Sequence, residues 1–247
     1  MKGNDDWDAA FFLGYPIEFK KLCLVYPPKI KDVVGNPRYH QLAKTLTLSQ
    51  EEIEDEFVQA GIDLKQLLTP FEYILNNAYN HKEFNEVLKE AFMLFTHEPV
   101  TFLFEQKQIL IGDIKDVKSV NELRILKEED YFDFQNLVRA ASGQKQIEAP
   151  NPNEDPRVKA IKAKARYRDR IKAKKGIGLK MKTILSSICC MGIGLTPLNI
   201  GELSYAAISL IQTYQEKEKY ELDIQSLLAG ADSKKIKPKY WIRNLDD

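Results

Sequence analysis

The chain has 247 residues, with 36 lysines and arginines against 36 aspartates and glutamates, so its formal net charge is zero. A balanced charge excludes a globally basic nucleic-acid-binding protein and an acidic tail protein, because both act through a charge imbalance. Hydrophobic residues make up 44% and charged residues 29% of the chain, a composition typical of a folded globular protein and not of a disordered one.

The first part of the chain is predicted to be helical, because apolar residues recur at helical spacing after helix-start signals. Ser49 with Glu52 forms a capping-box pattern, and Thr69 followed by Pro70 is a second start signal. An extended entry at Tyr26–Pro28 precedes the helices. They are expected from Ser49 to Gly61, from Thr69 to about Tyr79, from His81 to Phe95 and from about Glu128 to Ala141.

A β-hairpin is predicted at about residues 99–112, where the helical period is lost. Pro99 to Phe104 and Ile109 to Ile111 are rich in β-branched and aromatic residues, and the polar run Glu105 to Gln108 separates them. A linker is predicted next at residues 143–156, which contain Gly143, Pro150, Pro152 and Pro156. We therefore expect a mainly α fold with a helical domain at 1–142, a linker, and a helical C-terminal part at 157–247.

The C-terminal part begins with a basic segment. Residues 157–182 contain twelve basic residues and one acid, and the remaining residues carry the balancing excess of acids. A narrow apolar stripe, Ala160, Ala163, Tyr167 and Ile171, predicts a cationic helix. A helical hairpin follows, with its second helix expected to start at Asn199, to use Glu202 in its cap, and to run toward Gly230. The tail with Tyr240 and Trp241 is expected to dock.

The uncharged run Thr183–Gly201 is the one candidate membrane segment, but Gly192, Gly194 and Pro197 interrupt it. A buried helical hairpin is therefore expected, and the adjacent Cys189 and Cys190 are expected to be buried and inert. Few cysteines and the lack of a secretory signal at the N-terminus indicate a cytoplasmic protein.

Catalytic and metal-binding patterns are not found. His40, His81 and His97 have no partners at zinc-ligand spacing, and the glycine pairs near 176 and 192 lack the remainder of a phosphate-binding loop. Glu52 and Glu56 stand four residues apart, which suits a metal site and equally suits the first turns of a helix. We expect a protein that is not an enzyme and has no cofactor or bound metal.

Several stretches together resemble the tail assembly chaperone-like proteins of long-tailed bacteriophages that infect Gram-positive bacteria. The basic helix is one of them. The others are Leu13–Pro16, Val25–Lys29, Leu46–Glu52, Asp133–Leu137, Asn151–Asn153, Gly201–Leu203 and Tyr240–Asn244.

The resemblance implies a non-enzymatic phage morphogenesis protein in the host cytoplasm. Such a chaperone binds the tape measure protein, keeps it soluble and helps tail-tube protein to polymerise around it. Chaperones of this family are often shorter and more purely helical, so a structural virion component of the tail or head–tail junction is the alternative.

A nucleic-acid-binding accessory protein that uses residues 157–182 is a further alternative, because clustered lysines and arginines bind phosphates. A solvated helix facing the acidic body of the chain or a neighbouring copy would show the same pattern, and the oligomeric state is left open. The candidate partner-binding residues are Lys162, Arg166, Arg170, Lys174, Tyr240 and Trp241.

Overall fold

The chain forms two compact units, the first from residues 1–147 and 201–209 and the second from residues 148–200 and 210–247. The structure is a computed structural model, and it describes residues 4–60, 67–113, 123–148, 180–192, 194–230 and 236–238, together with Val158, Ile161, Ala165 and Arg168. Across these described residues the fold is mainly α, as predicted, with nine α-helices and two small sheets.

Seven of these helices lie in the N-terminal unit. The four predicted from helix-start signals and periodicity are confirmed, and three shorter helices nearer the N-terminus were not predicted. In chain order they are α1 (Asn4–Phe12), α2 (Ile30–Gly35), α3 (Tyr39–Thr47), α4 (Gln50–Ala60), α5 (Pro70–Asn80), α6 (Lys82–Thr96) and α7 (Glu128–Ala141).

The capping box predicted at Ser49 and Glu52 is formed, whereas the one predicted at Asn199 and Glu202 is not. The Glu52 amide donates to Ser49 Oγ at 3.2 Å, and the Ser49 amide donates to the Glu52 carboxylate at 2.9 Å. Thr69 and Glu72 make the same reciprocal pair at the start of α5. Each box satisfies two of the amide groups that the first helical turn leaves without partners, so the start of each helix is specified locally.

Two small antiparallel sheets complete the N-terminal unit. The predicted hairpin is confirmed as β3 (Val100–Leu103) and β4 (Gln108–Ile111), joined by residues 104–107, and β5 (Ile125–Leu126) extends it on the β4 side. A second hairpin, β1 (Ile17–Phe19) and β2 (Cys23–Val25), was not predicted.

The turn of that second hairpin is fixed by charge. Lys20 and Lys21 have φ angles of 45° and 59°, a left-handed conformation that is costly for residues with a side chain. The Lys20 ammonium group lies 2.7 Å from Asp130 and 2.8 Å from Asp133 on α7, which raises the pKa of Lys20. These two ion pairs hold the strained turn against α7.

One continuous apolar core holds the N-terminal unit together. Phe92 of α6 and Phe134 of α7 are stacked with ring centroids 5.5 Å apart, and Phe19 of β1 meets Phe134 edge-on. Both α6 and α7 bury their apolar faces here, and α3 and α5 pack on them. The β1–β2 hairpin is thus anchored by a buried aromatic side chain.

Polar side chains of α7 satisfy the carboxyl end of α3. Tyr131 donates to the Leu46 carbonyl at 3.2 Å, Gln135 to the Leu48 carbonyl at 2.6 Å, and Arg139 to the Thr47 carbonyl at 2.9 Å. The last carbonyl groups of a helix have no partner within it, and burying them without one is costly. The four-residue spacing of the donors places them on one face of α7, which closes the end of α3.

The described part of the second unit contains α8 (Met181–Cys189) and α9 (Leu210–Leu228), which contact each other. The predicted helix from Asn199 to Gly230 is wrong at its start, because α9 begins at Leu210. The Asn199 side chain accepts from the Thr196 amide at 2.7 Å and donates to the Gly194 carbonyl, so it closes a turn. Glu202 lies beside Lys29 and Lys31 of the N-terminal unit.

No helix among the described residues has both the length and the apolar character needed to cross a membrane.

Candidate partner-binding surface

The six residues proposed from sequence for partner binding are Lys162, Arg166, Arg170, Lys174, Tyr240 and Trp241, and all lie outside the described residues. Four neighbours in the basic segment are described, and they are helical and exposed. Val158 and Ile161 leave 42% and 67% of their surface in solvent. Together with Ala165 and Arg168 they recur at steps of three and four residues, so they share one helical face.

An open groove lies between α5 and the loop that joins β3 to β4. It has a volume of about 390 Å³. Tyr79 stands at its edge with 70% of its surface exposed, and its ring meets Phe104 edge-on at 5.3 Å. The groove is lined by Leu68, Glu72, Leu75, Asn76, Tyr79, Phe104, Glu105 and Lys107.

An ion pair fixes the shape of this groove. The Lys107 ammonium group lies 2.7 Å from the Glu72 carboxylate, and this contact lowers the pKa of Glu72. Lys107 has a φ of 49°, so the loop adopts a left-handed conformation at the residue that makes the pair. Because Glu72 also belongs to the capping box of α5, the hairpin loop is tied to the start of that helix.

A second binding arrangement joins residues 201–209, which we call the clasp, to the surface around Pro28–Lys31, which we call the clasp receiver. The Ile30 amide donates to the Leu203 carbonyl at 2.9 Å, and the Tyr205 amide donates to the Pro28 carbonyl at 2.7 Å. These two bonds form an antiparallel bridge in which Lys29 faces Ser204. The clasp is therefore bound like a short added strand.

The clasp also carries a carboxylate held by two lysines. Glu202 lies 2.6 Å from the Lys31 ammonium group and 2.9 Å from that of Lys29. The hydrogen bonds from Lys31 and then Lys29 lower the pKa of Glu202 to about 2. Glu202 therefore pairs with the receiver and does not cap the helix that the sequence predicted at this point.

The other candidate groups from the sequence do not converge. Glu52 serves its capping box, whereas Glu56 accepts from Tyr73 at 2.9 Å and lies 3.3 Å from Lys44. His97 stacks on Tyr26 with centroids 4.1 Å apart. Within the described residues, histidines, cysteines and carboxylates form no group of three or more arranged to hold a metal ion.

The prediction that the adjacent cysteines are buried is wrong. Cys190 is exposed and Cys189 is half-buried. Cys190 is the C-cap residue, one position beyond the end of α8. Cys23 is the buried cysteine, and burial raises the pKa of its thiol to about 12.

Two of the stretches that carry the family resemblance contact each other. Leu46 and Leu48 lie in one of them, Gln135 lies in the other, and Gln135 donates to the Leu48 carbonyl. Thr47, also in the first stretch, accepts from Arg139 just beyond the second. These motif residues therefore stabilise the fold of the N-terminal unit.

Sequence reasoning missed the groove and the clasp for different reasons. On α5, Tyr79 follows the buried Leu75 by one helical turn. It therefore lies at the edge of the buried face that Phe71, Ile74 and Ala78 also form. An aromatic residue at the edge of an apolar face was thus a usable signal. The pairing of Lys29 and Lys31 with Glu202 spans about 170 positions, and nothing local indicates it.

Comparison with known families gives a match to the C-terminal part of the chain. Residues 171–246 are similar to the family described as YomV second domain, a phage-associated family, and this match covers a minority of the chain. No curated protein and no solved structure matches the chain. The match supports a phage-associated character for the C-terminal part.

Proposed function

We propose that the chain is a non-enzymatic phage morphogenesis protein, namely a tail assembly chaperone that binds the tape measure protein and assists tail-tube assembly. The observation that carries the proposal is the similarity of residues 171–246 to a phage-associated domain family. The resemblance of several stretches to tail assembly chaperone-like proteins adds the finer assignment. The chaperone acts in the host cytoplasm and leaves the tail as assembly ends.

The groove beside α5 supports a role in protein binding. Its exposed Tyr79 and half-buried Phe104 offer aromatic surface next to charged side chains. Aromatic side chains of this kind supply much of the binding energy in protein interfaces. A tape measure protein is a long helix with apolar side chains that need cover, and such a helix binds an apolar groove through residues three and four apart.

Co-expression with the tape measure protein of the same phage tests the binding. We expect the tape measure protein to become soluble and to copurify with the chain. Tyr79→Ala is expected to weaken this capture about tenfold or more, as loss of an aromatic anchor does. Tyr15→Ala is the matched control, because Tyr15 is a tyrosine of similar exposure, 63%, outside the groove. An insoluble, unbound tape measure protein would contradict the proposal.

Quantitative mass spectrometry of infected cells and purified particles separates the chaperone from a virion component. The chaperone is expected in the lysate together with the tape measure protein, and it should be missing from particles. Stoichiometric presence in particles would instead identify a structural protein of the tail or head–tail junction.

A further inference from the structure

The clasp belongs by its contacts to the N-terminal unit and by its sequence to the C-terminal part. The chain leaves the N-terminal unit after residue 147 and returns to it at residue 201. The stretch similar to the YomV second domain family runs from residue 171 to residue 246 and includes the clasp. A segment of the stretch that matches this family therefore completes the first compact unit.

Four polar contacts join the clasp to the receiver. The two main-chain bonds and the two ion pairs join residues 28–31 to residues 202–205. None of these atoms belongs to residues 148–200, which connect the two parts of the first unit. The same bonds can therefore form with a clasp that comes from another copy of the chain.

Apolar burial stabilises the docked clasp. Ala207 of the clasp is 2% exposed, and the Tyr205 ring meets the buried Tyr39 ring edge-on at 5.4 Å. A Cβ atom at Gly143 would lie 3.2 Å from the Ala206 Cα, so the two backbones approach closely. An empty receiver would return this apolar surface to water, at a cost proportional to its area.

We propose that the clasp of one copy docks in the receiver of a second copy, so that two chains exchange clasps and form a dimer. Exchange of an identical segment is a low-cost route to dimers, because the complementary surface already exists. Within one chain, the clasp meets its own receiver at an effective concentration of about a millimolar or less. Clasps of other copies compete with it once their concentration approaches that value. Exchange is therefore favoured where copies are crowded, whether or not the protein is a tail assembly chaperone.

Disulfide trapping tests the exchange on the full chain. Lys29 and Ser204 face each other in an antiparallel bridge, where Cα atoms lie about 5 Å apart, within the range of a disulfide. One variant carries Lys29→Cys and the other Ser204→Cys, and both carry Cys189→Ser and Cys190→Ser. In the Lys29→Cys chain Lys31 still holds Glu202.

The two variants are mixed at a concentration of about 1 mM, incubated and oxidised. We expect a covalent heterodimer with a disulfide between positions 29 and 204, identified by mass spectrometry after isotopic labelling of one variant. Lys44→Cys replaces Lys29→Cys in the control mixture, because Lys44 is an exposed lysine on α3 outside the receiver. Heterodimer at or below the control level would overturn the proposal.

Charge reversal provides a second measurement if a cysteine variant fails to fold. Glu202→Lys cannot pair with its own receiver, and the double variant Lys29→Glu with Lys31→Glu cannot pair with its own clasp. Reciprocal exchange between the two variants restores every ion pair. Native mass spectrometry is expected to show at least tenfold more dimer in the mixture than in either sample alone, and equal amounts of dimer would refute clasp exchange.

Discussion

Gln135 is a buried polar residue whose amide has a specific structural role. Replacement by Met keeps the volume but leaves the Leu48 carbonyl without its donor at 2.6 Å. An unsatisfied buried carbonyl costs about 1–3 kcal/mol, so we expect Gln135→Met to lower the free energy of unfolding by that amount. Urea unfolding in a Trp241→Phe background measures this effect, because Trp7 packs on the N-terminal core and is then the one tryptophan.

Glu129→Gln is the control for Gln135→Met. Glu129 lies on the same helix, and its side chain is 74% exposed beside Lys127. Its substitution should change stability by about 0.5 kcal/mol or less. Equal effects of the two substitutions would contradict the assigned role of Gln135.

Gly112 occupies a position that a side chain cannot enter without disturbance. Its φ is 98°, and an added Cβ atom would collide with the end of the Arg124 guanidinium. Arg124 donates to both carboxylate oxygens of Glu98 and to the Leu22 carbonyl. We expect Gly112→Ala to cost roughly 1–3 kcal/mol, from backbone strain and displacement of Arg124.

The same Trp7 fluorescence assay measures Gly112→Ala against Gly35→Ala. Gly35 lies at the end of α2, has nothing within 4 Å of its Cβ position and needs no positive φ. Alanine there should leave stability unchanged or raise it, because alanine favours helix over glycine. A loss at Gly35 as large as that at Gly112 would rule out the steric explanation.

At the scale of elements, the clasp is expected to respond to acid. The pKa of Glu202 is lowered from 4.5 to about 2 in the folded chain. A group whose pKa is depressed by folding contributes its stabilisation above the unfolded value and loses it as the pH falls through the folded value. The contribution of Glu202 to docking of the clasp should therefore be full above pH 4.5 and be lost progressively toward pH 2.

Hydrogen exchange of two amides reports on this transition. The Ile30 and Tyr205 amides donate the main-chain bonds of the clasp. Their protection is expected to fall between pH 4.5 and pH 2 in the natural sequence. Glu202→Gln should start with lower protection and show no such fall. A parallel fall in both proteins would assign the acid response to another group.

The elements that could be predicted from sequence are those with signals inside themselves. Thr69, Pro70 and Glu72 specify the start of α5 without help from the rest of the chain. The strands β1 and β2 have three residues each, too few to show alternation. Lys20 in the turn between them contacts Asp130 and Asp133, more than 100 positions away, and local patterns could not reveal these contacts.

The candidate site was predictable only in part for the same reason. Clustered basic residues near 157–182 stand out in any reading of the sequence, and they gave four of the six proposed residues. The groove needs α5 and the hairpin loop together, although Tyr79 and Phe104 are 25 positions apart in sequence. A site built from two elements appears only once their packing is known.

At the scale of the whole molecule, charge is balanced in total but divided along the chain. We expect capture of the tape measure protein to weaken when four basic positions are neutralised together, because the basic segment is opposed by few acids of its own. The four substitutions to Gln are made at Lys162, Arg166, Arg170 and Lys174.

Capture at increasing salt, measured with natural and substituted chains, tests this expectation. The natural chain should lose affinity as salt rises, and the substituted chain should show a shallower dependence. A control chain with the same change in net charge should show the salt dependence of the natural chain. Identical salt dependence of the two substituted chains would contradict a specific role of the four basic positions. The control chain carries Gln at the exposed positions Lys127, Lys145, Lys219 and Lys237.

The position of the clasp sets an order of events during translation. The receiver at Pro28–Lys31 and the remainder of residues 1–147 are synthesised before the clasp at residues 201–209. At about 5–20 residues per second the interval is on the order of several seconds. During that time each nascent chain presents a vacant receiver, and neighbouring ribosomes on the same messenger hold chains at different stages. A product that terminates before residue 201 would keep its receiver vacant after release.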